Sequence, residues 1–469
     1  MKDAPQCIRT AVILSVAFLL IFTSYGAIEN LETSIIRGEC QGCLEGSPSG
    51  ICQSGNVCQE KTKFACDEAC AAPFKECESS LGRTILGTVY LTFTLTSLVG
   101  PVVPNYFGMK KCLFGSALIY ALFAFANLIV ALNPTNQDLH WWIMIPAAVL
   151  EGVAASVLWI AQASYLTEVS VLYSKYKHEP LVSSMGFFNG LFYSIFRLSA
   201  ILGNFISSFV LGFLVWSSQS LFVLYTLLGL SGATLMLALP ALTQEGNDAE
   251  LVKLVPASTN DAPESPPTVA SEMSALWGVV KDKRMLILAP VFILSGLEQG
   301  FASGEFTSNF IRESLGSSSI GYVMAIYGST NVVASYAFGR LADKFGPLSG
   351  VLVGFGSLLT AFCMCYWIPV AKCDEQWTLV MTIAVLLSFG DASSATLTSV
   401  VLGQEFPSDP LSAFSVFKVY QSGSTAAAYF FFSFLSFNGR LLLLICMVLI
   451  SISAFLVYTK KYRRVSMEV

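Results

Sequence analysis

The chain has 469 residues, 54% hydrophobic and only 12% charged, with a formal net charge of −5 and 35 phenylalanines. An ordinary soluble domain carries about twice that charged fraction, so composition excludes a soluble globule and points to a membrane chain. The small net charge singles out no partner and argues against nucleic acid.

A helix needs about 20 mostly apolar residues to cross the hydrocarbon core. About twelve such runs follow one another, at 8–30, 82–104, 112–132, 141–168, 183–215, 217–241, 285–311, 319–339, 348–369, 377–403, 411–435 and 439–459. They predict helices, because lipid offers no partner to backbone amides and the runs are too continuous for barrel strands. The expected fold class is therefore an all-α membrane protein of twelve transmembrane helices in two six-helix bundles.

The first run, "AVILSVAFLLIF" after Lys2 and Arg9, has the look of a signal-peptide core. Polar "ENLETS" follows it without a small-x-small cleavage site, so it is taken as the first span. The loop at 38–80 then gathers Cys40, Cys43, Cys52, Cys58, Cys66, Cys70 and Cys77, with Cys373 between spans 9 and 10 as an eighth. Disulfides stapling a small coreless unit are one reading, and a zinc site using the Cys40–x2–Cys43 spacing is the other. The absence of histidine from the loop and an outward, oxidising location favour disulfides. Their pairing is not readable, and they serve either a platform for contacts or plain capping of helix ends.

Residues 1–241 form the first predicted bundle. The segment 242–284 is rich in Pro, Ser, Asp and Glu and reads as a cytoplasmic linker. Its end, "SEMSALWGVVKDKR", predicts a short interfacial helix. The second bundle spans 285–459, and 460–469 is a basic tail. Lys110, Lys111, Lys175, Lys177, Arg340, Lys344 and the tail cations fall on one side, against Arg312, Lys372 and Arg440 on the other. The positive-inside rule then predicts both termini in the cytoplasm. The halves look duplicated: "GAIENLE" in span 1 matches "SGLEQGF" in span 7, and spans 5 and 11 each carry one cation in mid-helix.

Ionisable groups at membrane depth are costly and face a cavity or a partner. Glu29, Glu151, Glu298 and Asp391 fall on spans 1, 4, 7 and 10, which line the cavity of a six-plus-six fold. Arg197 and Lys418 lie on the flanking spans 5 and 11. Two readings stand: a polar translocation pathway or proton relay, and ion pairs that fix helix packing. In span 4, Trp159, Gln162 and Tyr165 fall about one turn apart, where a packed seam competes with a ligand site. No GxxxxGK[ST] loop exists, which argues against ATP-driven pumping. With two histidines in all, neither an enzyme, a cofactor nor a metal site is expected.

"GRLADKFG" between spans 8 and 9 resembles the loop signature of the major facilitator superfamily. Gly339, Arg340, Asp343, Lys344 and Gly346 are its conformational-switch positions, with both glycines expected to permit a tight turn. The terminal basic pair is replaced by Pro347-Leu348. The first-half copy, "GPVVPNYFGMKKC", has lost its acid, and Ala148 stands where the superfamily pattern in span 4 has arginine. "SYGAIENLETSI", "GVAASVLWIAQASYLTEVS" and "GNFISSFVLG" resemble, in order, the Unc-93 (Unc-like) family. That family motif covers Tyr25, Asn30, Leu31, Ser34, Trp159, Gln162, Tyr165, Leu166, Thr167, Gly203 and Asn204; the cysteine-rich loop departs from it. The resemblance implies a regulatory or trafficking partner of potassium channels or receptors, in the plasma membrane or an endosomal or lysosomal membrane. A secondary transporter of a small solute or ion is the alternative.

Overall fold

The structure is a computed structural model that describes residues 3–35, 80–98, 102–133, 136–178, 181–242, 269–368, 376–406 and 410–463. Every described element is helical. α1 (Ala4–Ile35), α2 (Ser80–Ser97), α3 (Met109–Leu132) and α4 (Gln137–Lys177) are followed by α5 (Leu181–Phe196), α6 (Leu198–Ser208) and α7 (Ser218–Met236). After the linker come α8 (Val269–Val280), α9 (Lys283–Gly300) and α10 (Ile320–Phe345). α11 (Pro347–Trp367), α12 (Trp377–Glu405), α13 (Pro410–Phe431) and α14 (Phe437–Tyr458) complete the chain. α6 runs on as a π-helix over Phe209–Phe213, and α9 does the same over Phe301–Arg312.

Local chemistry sets the helix ends. Asn136 caps α4 by accepting the Leu139 amide at 3.1 Å, and Asp282 caps α9 through the Arg284 amide at 2.7 Å. Each satisfies an amide that the first helical turn leaves orphaned. α4 stops at left-handed His178, with Lys175 and Lys177 in its last turn where the dipole favours cations. Gly346, at φ 82°, turns the chain between α10 and α11, and Pro347 opens α11. The residues that replace the superfamily's basic pair thus start a helix. Gly339, by contrast, lies inside α10, so the tight turn belongs to Gly346 alone.

Among the described residues nine helical stretches are long and apolar enough to cross a membrane. α2, α10 and α13 stand at three further sites where the sequence predicts spans, but Thr, Ser and charged residues dilute them. The packing explains the dilution. Within the first half α1 packs on α5, α6 and α7, α3 on α4 and α7, and α2 on α4. Within the second, α9 packs on α13 and α14, α11 on α12 and α14, and α10 on α12. The two patterns are the same pattern repeated. The halves meet where α2 packs on α13 and α6 on α10, so the three diluted helices each present a face to protein that a fully lipid-exposed helix would give to hydrocarbon.

Small residues permit that contact. A Cβ on Gly321 of α10 would sit 2.1 Å from the Asn204 carbonyl of α6, closer than any real contact. Close approach through small residues drives helix association where no hydrophobic effect acts between helices. α8 lies on α13 with Leu276 and Val279 buried and Trp277 exposed. Residues 243–268, the cysteines Cys40, Cys43, Cys52, Cys58, Cys66, Cys70, Cys77 and Cys373, and the tail beyond Arg463 lie outside the described residues.

Candidate functional site

The chain begins at one face of the bundle, the face that also carries the linker. α1 ends and α2 begins at the opposite face, beside the cysteine-rich segment. Polar side chains join the two halves in layers from the cysteine face inward.

In the outermost layer, Glu305 on the π-turn after α9 takes two arginines. Arg83 of α2 approaches at 3.2 Å, and Arg440 of α14 donates to the other carboxylate oxygen. Asn309 donates to Glu305 at 2.8 Å. All three ions are at least nine-tenths buried. In dry surroundings such ions are tolerable only when paired and hydrogen-bonded. π-turns recur at functional sites, and this one turns the acid toward the other half. Arg83 and Arg440 are absent from the sequence-derived candidates.

One layer deeper, Tyr90 of α2 donates to Glu29 of α1 at 2.5 Å and accepts from Gln299 of α9 at 2.5 Å. Tyr90 also stacks on Tyr429 of α13, ring centroids 6.0 Å apart, and Tyr429 bonds Ser303 at 2.6 Å. Thr94 of α2 donates to Ser422 of α13 at 2.8 Å. One hydroxyl thus links helices of both halves.

The third layer holds Arg197, Glu298, Asp391 and Lys418. Arg197 sits at the break between α5 and α6 and donates to Asn331 of α10, which donates to Asp391 of α12 at 2.6 Å. The cation and the acid therefore meet through an amide. Tyr327, one turn before Asn331, donates to Glu298 at 3.1 Å. The second half thus repeats the acid–tyrosine pair of the first, with Tyr327 to Glu298 standing where Tyr90 stands to Glu29. Lys418 donates to Gln421 at 2.8 Å, and Gln421 bonds Ser295 of α9 at 3.0 Å. Lys418 is exposed although it points into the bundle, and Asp391 lies within electrostatic reach of both cations.

Glu151 belongs to none of these layers. It is fully buried in α4, and neither carboxyl oxygen has a hydrogen-bond partner among the described residues. It lies within electrostatic reach of Tyr25 and Tyr120 in the first half. Trp159 packs edge-on against Phe18 and Phe196 at 5.5 and 5.3 Å, whereas Tyr165 donates to the Pro240 carbonyl at 2.8 Å. Gln162 is buried. The span 4 trio therefore divides between an aromatic cluster and a packed seam.

At the linker face Arg284 pairs with Asp282 at 2.9 Å and with Glu405 at 3.2 Å, and Tyr458 donates to Glu405 at 2.6 Å. The hydrogen bond from Arg284 holds the Asp282 carboxyl below the usual carboxylate range. In the "GRLADKFG" stretch, Arg340 bonds the Tyr336 hydroxyl at 3.2 Å and Lys344 lies 5.3 Å from the Phe345 ring. The side chain of Asp343 lies outside the described residues.

A family model described as "Ion channel regulatory protein UNC-93" matches residues 74–456. The chain belongs to the UNC-93 family. UNC93-like protein 3 of Arabidopsis thaliana is 28% identical over 445 residues, 94% of this chain and 83% of its own. The unc-93 protein of Caenorhabditis elegans, named as a candidate potassium channel regulatory protein, is 26% identical over 78% of this chain and 48% of its own. Among solved structures, the nucleoside transporter NupG aligns at a TM-score of 0.57 and 12% identity over 97% of this chain and 99% of its own. The xylose transporter XylE from E. coli does so at 0.57 and 14%, over 98% of each chain. This UNC-93 family chain therefore has the fold of major facilitator transporters.

Several residues that carry the UNC-93 resemblance pack against one another. Asn30 of α1 donates to Asn204 of α6 at 3.0 Å, beside buried Leu31. Tyr225 of α7 donates to the Gly203 carbonyl at 2.9 Å. Tyr25 sits in the aromatic cluster, its ring 5.1 Å from that of Tyr120. In this chain these positions form a seam within the first half that reaches the second where the Asn204 carbonyl meets Gly321.

Proposed function

We propose that this chain is a twelve-span, non-enzymatic UNC-93 family protein that acts as a regulatory or trafficking partner of another membrane protein, a channel or a receptor. The observation that carries this reading is the match of the ion channel regulatory family over residues 74–456. The potassium channel named for the nematode relative makes such a channel the first partner to seek. The lost acid in the first-half loop copy fits a protein released from the superfamily's usual transport cycle. The Lys and Arg bias supports both termini in the cytoplasm, with the linker face cytoplasmic and the cysteine segment on the outward or lumenal side. The membrane itself is the plasma membrane or an endosomal or lysosomal one.

The test is recovery of the protein from native membranes at native abundance, after mild crosslinking, with partners counted by mass spectrometry. A channel or receptor recovered near one-to-one is the expected result. Recovery of the chain alone from crosslinked membranes would sink the regulatory reading.

A second reading, transport of a small solute, is favoured by one observation: Lys418 lies in mid-helix, bonds the Gln421 amide and is nevertheless exposed. A merely structural cation at that depth would be covered and paired. Uptake into proteoliposomes that is lost in a Lys418→Gln variant would support it.

A further inference from the structure

We propose that the chamber between Arg197 and Lys418 binds a small organic anion, a carboxylate with a flat apolar body. The argument starts from hydrogen-bond capacity. A guanidinium has five N–H donors and an ammonium three, and neither can accept. Among the described residues, the Arg197 side chain donates one hydrogen bond, to the neutral amide of Asn331, and Lys418 one, to the neutral amide of Gln421. No carboxylate among the described residues lies within ion-pair distance of either cation, in contrast to Arg83, Arg284 and Arg440. Of the nearby acids, Asp391 already accepts from Asn331, and Glu298 is buried behind Tyr327. Both cations thus keep N–H donors that an oxyanion would satisfy, while the second Glu298 oxygen is buried without a hydrogen-bond partner among the described residues.

Position and walls narrow the class. Arg197 comes from the first half and Lys418 from the second, so one anion between them would bridge both halves. Tyr193, one turn before Arg197 on the same face of α5, is exposed, and the Lys418 ammonium lies 5.3 Å from the Phe417 ring. The exposed Tyr193 ring beside charged donors suits a flat organic body better than a bare inorganic ion. The proposal rests on the second reading for the chamber alone. Binding without flux would leave the site standing while the transport reading fails, and an anion that bridges the halves would still set the conformation offered to a partner protein.

The experiment uses the full chain in detergent, with thermal unfolding as readout and three probes at up to about 10 mM, ample for a millimolar site. Benzoate is expected to raise the Tm saturably, and benzamide, the same ring without the charge, to leave it unchanged. Lys418→Gln should weaken benzoate at least about tenfold, and Arg197→Gln should do the same, whereas Lys418→Arg should retain it. Lys418 is exposed and its single bond is to Gln421, so its variants test the site even if Arg197→Gln fails to fold. Equal shifts with benzoate and benzamide, no shift with benzoate, or undiminished binding in Lys418→Gln would each overturn the proposal. A response to inorganic phosphate without one to benzoate would overturn the organic assignment.

Discussion

A carboxylate's surroundings decide whether it stabilises this chain. Glu305 is ringed by two arginines and an asparagine, so removing the acid strands two buried cations. Breaking a buried pair costs about 3–5 kcal/mol, mostly as uncompensated charge. Glu305→Ala is expected to lower stability by that order. In a cycle with Arg440→Ala the double variant should lose less than the sum of the singles, and strict additivity in thermal unfolding would refute the pair. Asp282 makes the opposite kind of test. Its folded carboxyl is held below the ordinary range by Arg284, so the native state binds that proton less readily than the unfolded chain. Its contribution is therefore fully present above the ordinary carboxylate range and fades as pH falls through the depressed value. Between roughly pH 5 and roughly pH 3, Asp282→Asn should lose less stability than the parent protein, and parallel losses in thermal melts would refute the linkage. That Glu29, Arg197, Glu298, Asp391 and Lys418 fall within helical stretches was legible in the sequence, because a charge inside an apolar run is conspicuous. Their partners were not: joining 83 to 305 and 440 requires knowing which helix faces meet, and residue type does not encode that.

Among the helices, hydropathy and role diverge in an informative way. α2, α10 and α13 are the expected spans outside the nine long apolar stretches, and each carries a contact between halves. A hydropathy reading finds such helices but has no means of saying why they are diluted; the Thr94–Ser422 hydrogen bond supplies the reason. With those hydroxyls 2.8 Å apart, Thr94→Cys and Ser422→Cys should crosslink on mild oxidation in the folded protein, whereas the single variants should not. Failure to crosslink in the membrane would mean that α2 and α13 are separated there. The duplicated pattern was also partly legible: the matched acids of spans 1 and 7 are in the sequence, whereas the tyrosines that answer them, Tyr90 and Tyr327, carry no signal above the ordinary aromatic content of a span. A further misreading concerned Gly339. It falls within a motif whose glycines were expected to turn the chain, yet α10 continues through it to Phe345, because only Gly346 adopts the left-handed conformation that ends the helix.

For the molecule as a whole, the decisive property is which face the chamber opens to. From the cysteine face inward the halves are joined by the Arg83–Glu305 pair, the Glu29–Tyr90–Gln299 chain and the Arg197–Asn331 bond. On the linker side of these contacts stand exposed Tyr193 and Lys418. Buried ions on one side and an exposed cation on the other predict access from the linker face. Arg83→Cys and Lys418→Cys therefore make opposite predictions for a charged, membrane-impermeant thiol reagent. In sealed vesicles, Lys418→Cys should label above the parent background only when the reagent reaches the linker face, and Arg83→Cys should label from neither side. Labelling of Arg83→Cys from the cysteine face would show that the triad opens in the membrane, and the chain would then visit both access states as a transporter must. Labelling confined to Lys418→Cys from the linker face would describe a molecule held in one state by its own ion triad. That behaviour suits a protein whose work is to present a fixed surface to a membrane partner.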